Sequence, residues 1–267
     1  MGLAGLNQIN LELQAKCDKH TLCGFCGHQN DKINPVKKDE INFSLLCKIR
    51  DQLPKGIVVQ LHRDGEPTLY RRLGDALLAL SDFIVSIVTH GENLVRKAPE
   101  IIDRCNTVTV SVFKGDPDQE LQYNTLKEFL RLKGDHRPMV NIKVVGEMTQ
   151  DMEIMYGHLG VPILRRLLHI PTGNNKYFRG TPTIPETGIC LDFLSHPSVD
   201  WRGILRVCSR MDPRDEGVLG DLNESTLDEL WNSDKRMTWL DAHKKGKRNA
   251  AAPLCANCLY YGVPTGL

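Results

Sequence analysis

Seven of the nine cysteines in this chain fall into two groups, and their spacing limits the chemistry open to them. Cys17, Cys23 and Cys26 stand in the ten-residue stretch "CDKHTLCGFC" near the start. Cys190, Cys208, Cys255 and Cys258 lie in the last third, the final pair within "CANC". A zinc ion would need a fourth ligand beside the first three, such as His20 or His28. Three thiolates can instead hold three irons of a [4Fe–4S] cluster, leaving the fourth iron open to chelate a small molecule and pass it one electron. Four thiolates at the other end would close a cluster completely, so that it stores or passes electrons, or would enclose a structural zinc. Cys47 and Cys105 stand apart and read as buried apolar cysteines.

Composition narrows the setting. Thiols stay reduced in the cytosol, and "MGLAGLNQINLELQAK" lacks the charged region and apolar core of a signal peptide. No apolar run approaches the ~18 residues of a membrane span, and Leu6 breaks the myristoylation pattern. A cytoplasmic protein is expected. At 267 residues the chain can bury a full core. Its 34 Lys and Arg against 33 Asp and Glu, net +1, argue against a general nucleic-acid or membrane-surface binder. The basic run "HKKGKR" at 243–248 reads as a solvated loop.

The elements that must hold these loops alternate along the chain. Short apolar or β-branched runs at 9–13, 56–61, 83–88, 107–113, 139–145 and 163–170 read as strands. Between them, "DEINFSLLCKIRDQL" places Ile41, Leu45, Ile49 and Leu53 on one helical face. Helices are also expected at 70–80, at 92–104 with an interruption at Pro99, at 118–133 and around 149–159. Six strands alternating with five helices predict an α/β fold, a parallel sheet curled into a partial (β/α)6 barrel. The alternation stops at the Pro-, Gly-, Thr- and Asn-rich stretch 171–188. That places a core at 1–170, a linker at 171–188 and a small C-terminal domain at 189–267. In such barrels chemistry collects at the carboxyl ends of the strands, where the three-cysteine loop leaves the first.

The loop then carries a resemblance. Cys17, Cys23 and Cys26, with Phe25 before the last, resemble the cluster loop of the radical S-adenosylmethionine enzymes, here spaced C-x5-C-x2-C where C-x3-C-x2-C is commoner. After the second strand, Gly65, Glu66 and Pro67 match the family's GGEP stretch, with Asp64 in place of its first glycine. After the third, "THG" (Thr89, His90, Gly91) is similar to the family's TNG, and Ser111 on the fourth stands where a polar side chain meets ribose or carboxylate. The resemblance implies that residues 65–67 receive the methionine end of S-adenosylmethionine, with adenine nearer Phe25.

The C-terminal cysteines, "LGDLNESTLDELWNS" and the closing "CANCLYY" resemble the SPASM/Twitch extension of that family, with four cysteines as in the smaller Twitch form. A hairpin within 203–222 and a helix from Ser225 are expected there. The resemblance implies two [4Fe–4S] clusters, bound S-adenosylmethionine, and an external one-electron reductant such as flavodoxin or ferredoxin. It further implies a 5′-deoxyadenosyl radical that takes a hydrogen atom from a small-molecule substrate, followed by a two-electron oxidation through the second cluster. In layout the chain is similar to 2-deoxy-scyllo-inosamine dehydrogenase-like enzymes. Arg165, Arg166 and His169 are candidates for the base or cationic partner beside the substrate; a strand-end charge pair and a core histidine are the plainer alternatives. A ribosomal-peptide maturase and a non-catalytic zinc-stapled binding module stay open as other functions.

Overall fold

The computed structural model describes residues 2–19, 23, 39–166, 189–210, 212, 214–256 and 258. Six strands lie side by side in chain order, all parallel: β1 (Gln8–Leu11), β2 (Val58–Gln60), β3 (Ile84–Thr89), β4 (Thr107–Val112), β5 (Met139–Val145) and β6 (Ile163–Arg166). Helices α1 (Phe43–Arg50), α2 (Leu73–Ala79), α3 (Leu94–Ile101), α4 (Gln119–Lys133) and α5 (Gln150–Gly157) alternate with them. Right-handed crossovers that always step in one direction place every helix on the same face of the sheet. The other face becomes the concave interior of a partial barrel. The expected partial (β/α)6 architecture is present.

Burial alternates as that arrangement demands. On β4, Val108, Val110 and Val112 are buried in one core with Leu126 and Phe129 of α4, while Thr107, Thr109 and Ser111 on the concave side are half-buried. On β5, buried Val140, Ile142 and Val144 alternate with Asn141, Lys143 and Val145. Parallel register sets Thr109 beside Asn141 and Ser111 beside Lys143. The concave wall is therefore polar over the middle of β4 and β5, with Val88 of β3 and Leu164 of β6 flanking it.

The helices follow their apolar stripes. Ile41, Leu45, Ile49 and Leu53 are all buried, and the Asn42 side chain caps α1 by accepting from the Ser44 N–H. Pro99 does not interrupt α3 as expected. The helix runs through it to Ile101. A proline there removes one backbone donor, and burial of Leu94, Ala98 and Ile101 holds the turn.

Residues 167–188, which include the rest of the expected sixth strand and the expected linker, lie outside the described residues. Beyond them come α6 (Leu191–Ser195), β7 (Ser198–Val199), β8 (Ile204–Arg206), β9 (Val218–Asp221), α7 (Leu227–Trp231), α8 (Asp234–Lys244) and α9 (Pro253–Ala256). β8 and β9 pair antiparallel, the hairpin expected within 203–222. β7 pairs parallel with β1, so one sheet of nine strands runs β6-β5-β4-β3-β2-β1-β7-β8-β9. The single helix expected from Ser225 is two. Thr226 caps α7 in a capping box with Glu229, and Ser233 caps α8 by accepting from the Arg236 N–H. Asn232 and Ser233 satisfy backbone groups locally and end the first helix there. Among the described residues no helix is long and apolar enough to cross a membrane.

Candidate active site

The carboxyl ends of β1, β2 and β3 are joined in one hydrogen-bonded network beneath the cysteine loop. The Glu66 N–H donates to the Lys16 carbonyl at 2.9 Å. The Glu66 carboxylate, 3% exposed, accepts from the Thr68 N–H (2.9 Å) and hydroxyl (2.5 Å), the Thr89 hydroxyl (2.8 Å) and the His90 N–H (3.0 Å). The His90 ring meets the Asp18 carboxylate at 2.7 Å, one residue past Cys17. Its hydrogen bond with His90 holds the Asp18 carboxyl down at about 2. Burial opposes the charged form of His90, but Asp18 and Glu66 outweigh it and raise its pKa.

The loop is pinned a second time two residues after Cys17. The Lys19 ammonium, buried, sits 2.6 Å from Asp116 after β4 and 2.5 Å from Glu92 after β3. These two carboxylates overcome the burial of Lys19 and keep its pKa raised. The Cys23 thiol is pushed up to about 12 by burial and then by Cys17 close by. Ligation of a metal or cluster there must displace that proton.

Gly65 is fixed by close approach. A Cβ on it would lie 1.8 Å from the Gln14 carbonyl oxygen and 2.7 Å from Ala15, both backbone of the segment leading to Cys17. Gly65→Ala is therefore expected to push the turn off the cysteine loop. S-adenosylmethionine binding should weaken by about tenfold or more, with the C-terminal cysteine site still filled. Equilibrium binding on the anaerobically loaded variant checks this.

Cys17, Cys23, Gly65, Glu66, Pro67 and Thr89 are thus brought together. The Glu66 and Thr89 side chains bond inward, so they position the turns, and the backbone of 64–66 is what remains for a ligand. Ser111 lies on the concave side of β4. Gln122 of α4 links its carbonyl (3.0 Å) to that of His90 (2.5 Å), and the Tyr156 hydroxyl holds the Gln122 side chain at 2.8 Å. Cys26, Phe25 and His169 lie outside the described residues. Arg165 is not brought to the interior: it shares the register of buried Val144 and pairs with Glu153 of α5 at 3.2 Å among the outer helices. Arg166 shares the register of Val145. Sequence reasoning missed Glu12, Lys19 and Gln122; the signal was a charged or amide group inside an otherwise apolar or cysteine-bearing stretch.

In the C-terminal lobe, Cys190, Cys208, Cys255 and Cys258 line one pocket with Phe193, Arg210 and Leu254. Cys190 precedes α6, Cys208 follows β8, and Cys255 lies in α9, with the Cys258 N–H donating to its carbonyl at 3.2 Å. Burial, then Cys190 and Cys258, raise the Cys255 thiol; burial and Asp192 raise Cys208. Four thiols around an apolar-walled pocket are a donor set suited to a multi-iron, fully ligated centre. None of the eight described cysteines is in a disulfide. Cys105 is buried as expected, whereas Cys47 is only half-buried.

Comparison with known proteins agrees with this geometry. Residues 190–259 match the SPASM family, an iron-sulfur cluster-binding domain. Across the chain the fold is that of a structure of BtrN in complex with AdoMet and 2-DOIA, with TM-score 0.59, 18% identity, and 98% of this chain and 96% of that one covered. SuiB of Streptococcus suis bound to precursor peptide SuiA matches with TM-score 0.61 at 14% identity, over 95% of this chain and 71% of that one. AdoMet-bound anSMEcpe matches with TM-score 0.64 at 13% identity, over 89% and 84%. No curated protein matches by sequence. The resemblance drawn from the cysteine loop and the strand ends is borne out: a radical S-adenosylmethionine fold carrying a SPASM-type iron-sulfur domain.

Proposed function

We propose that this chain is a cytoplasmic radical S-adenosylmethionine enzyme that oxidises a small, hydroxyl-bearing molecule by two electrons. When bound, the open cluster and S-adenosylmethionine supply a hydrogen-abstracting radical, given one electron by an external carrier such as flavodoxin or ferredoxin. Cys17, Cys23 and Cys26 would hold that cluster, the backbone of 64–66 the methionine end, and Ser111 the ribose or carboxylate. Cys190, Cys208, Cys255 and Cys258 would hold the second, in the Twitch manner. After loss of a hydrogen atom the substrate would still have to lose one electron, which the second centre would accept when bound, and one proton to a base, for which His169 is the candidate, with Arg166 the candidate cationic partner beside the substrate.

The observation that carries this reading is the polar concave wall. Thr109 and Ser111 of β4 and Asn141 and Lys143 of β5 form a polar patch toward the carboxyl ends, with Val88 of β3 and Leu164 of β6 beside it. Such a lining matches a molecule dense in hydroxyl and amino groups better than an apolar one. BtrN, covered almost end to end, is seen in complex with AdoMet and 2-DOIA. A peptide-modifying enzyme is the second reading, favoured by the likeness to SuiB with its bound precursor peptide. The deciding experiment incubates loaded protein, S-adenosylmethionine and reductant with an aminocyclitol panel and with short peptides. One ketone formed per 5′-deoxyadenosine from a cyclitol supports the proposal. Turnover confined to peptides overturns it.

A further inference from the structure

Glu12, one residue past β1, is 2% exposed and takes no part in the chemistry proposed above. Its Oε1 accepts from the Asp64 N–H at 3.0 Å and the Gly65 N–H at 3.3 Å, and its Oε2 lies 3.4 Å from the Trp201 N–H between β7 and β8. In a trans peptide the carbonyl points opposite to the following N–H. The carbonyls of Arg63 and Asp64 therefore face away from Glu12. One buried carboxyl thus orients the turn after β2 and ties it to the C-terminal lobe.

We propose that Glu12 is a positioning residue for S-adenosylmethionine: it holds the 64–65 turn with its carbonyl edge outward and locks that turn to the Trp201 corner of the C-terminal lobe. This rests on the reading that the turn receives the methionine end. The charged groups facing Glu12 are Arg63 and Asp64 on the turn, themselves paired at 2.6 Å, and Asp200 from the lobe. Asp200 is held by Arg202 at 2.6 Å and Arg206 at 3.0 Å, and Asp212 lies beyond, 3.8 Å from Arg206. Burial raises the Glu12 pKa to about 7, Arg63 opposing and Asp64 and Asp200 adding to it. Glu12 therefore changes charge near neutral pH, and a carboxylate holds N–H donors more strongly than the acid does.

The test measures S-adenosylmethionine binding to the loaded protein, by anaerobic equilibrium dialysis and by the shift in the electron paramagnetic resonance signal of the reduced N-terminal cluster. Glu12→Ala should keep the iron of both centres and bind about tenfold more weakly, since two amide donors lose their acceptor. Glu12→Gln, whose amide oxygen can still accept from Asp64 and Gly65 but whose NH2 then faces the Trp201 N–H, should bind more tightly than Glu12→Ala and more weakly than wild type at pH 8. Wild-type affinity should fall from pH 8 to pH 6 relative to Glu12→Gln. Stability moves the other way. An acid with a raised folded pKa contributes stability fully below its ordinary value and loses it as pH rises through about 7. The wild type should therefore lose thermal stability relative to Glu12→Gln between pH 6 and 8. Unchanged affinity in loaded Glu12→Ala overturns the proposal, as do parallel binding profiles of wild type and Glu12→Gln should the alanine variant fail to load. A wild type that binds no S-adenosylmethionine removes the functional reading and this proposal with it.

Discussion

Anaerobic reconstitution is expected to load about eight irons and eight sulfides per chain, and changing Cys17 and Cys23 together to Ala to remove half of each and all cleavage of S-adenosylmethionine. The two sites are built from separate elements. Cys17 and Cys23 belong to the loop after β1, held by Asp18–His90 and by Lys19 with Glu92 and Asp116. The other four cysteines surround their own pocket beside α6 and α9. Losing two of three ligands leaves no stable seat for the first cluster, while nothing in the second pocket changes. Iron and sulfide analysis with product chromatography reads both halves of the expectation. Stoichiometric zinc without acid-labile sulfide in the wild type would end the radical reading.

Changing Cys255 and Cys258 to Ala is expected to leave 5′-deoxyadenosine formation intact while oxidised product falls to background. Four thiols around one pocket would leave no open iron for substrate, so in the proposed oxidation this centre would take the electron left after hydrogen abstraction. A redox-neutral reaction would not need it. Nor does a cysteine stand ready to return a hydrogen atom: Cys105 is buried in the core, and Cys47 sits on α1 in the outer layer. The two assays must separate in the variant. Normal amounts of oxidised product would make the lobe structural and remove the electron-accepting role from it.

The strands and the cysteine grouping were legible because each rests on local pattern. Valine- and isoleucine-rich runs such as 107–112 and 139–145 need no distant partner to be read as strands. β7 was not legible, since two residues carry no period. Lys19 pairs with Asp116, 97 positions away, and only the β1–β4 arrangement brings them together. Arg165 and Arg166 show the same limit on a smaller scale. Adjacent strand residues face opposite sides, and register with buried Val144 is what sets Arg165 among the outer helices. Glu66 was found by motif, but its inward carboxylate became visible only with Thr68, Thr89 and His90 in place.

The pairing of β1 with β7 bears on how the chain is made. β1 is an interior strand of the sheet, yet the partner on one of its sides, β7 at Ser198–Val199, is made only after five further strands and six helices. Until β7 arrives, one side of β1 is a row of unpaired backbone donors and acceptors, open to pairing with another chain. A protein cut before residue 189 would keep that exposed side permanently. The barrel part is thus a poor candidate for expression by itself, and its solubility depends on the segment that follows.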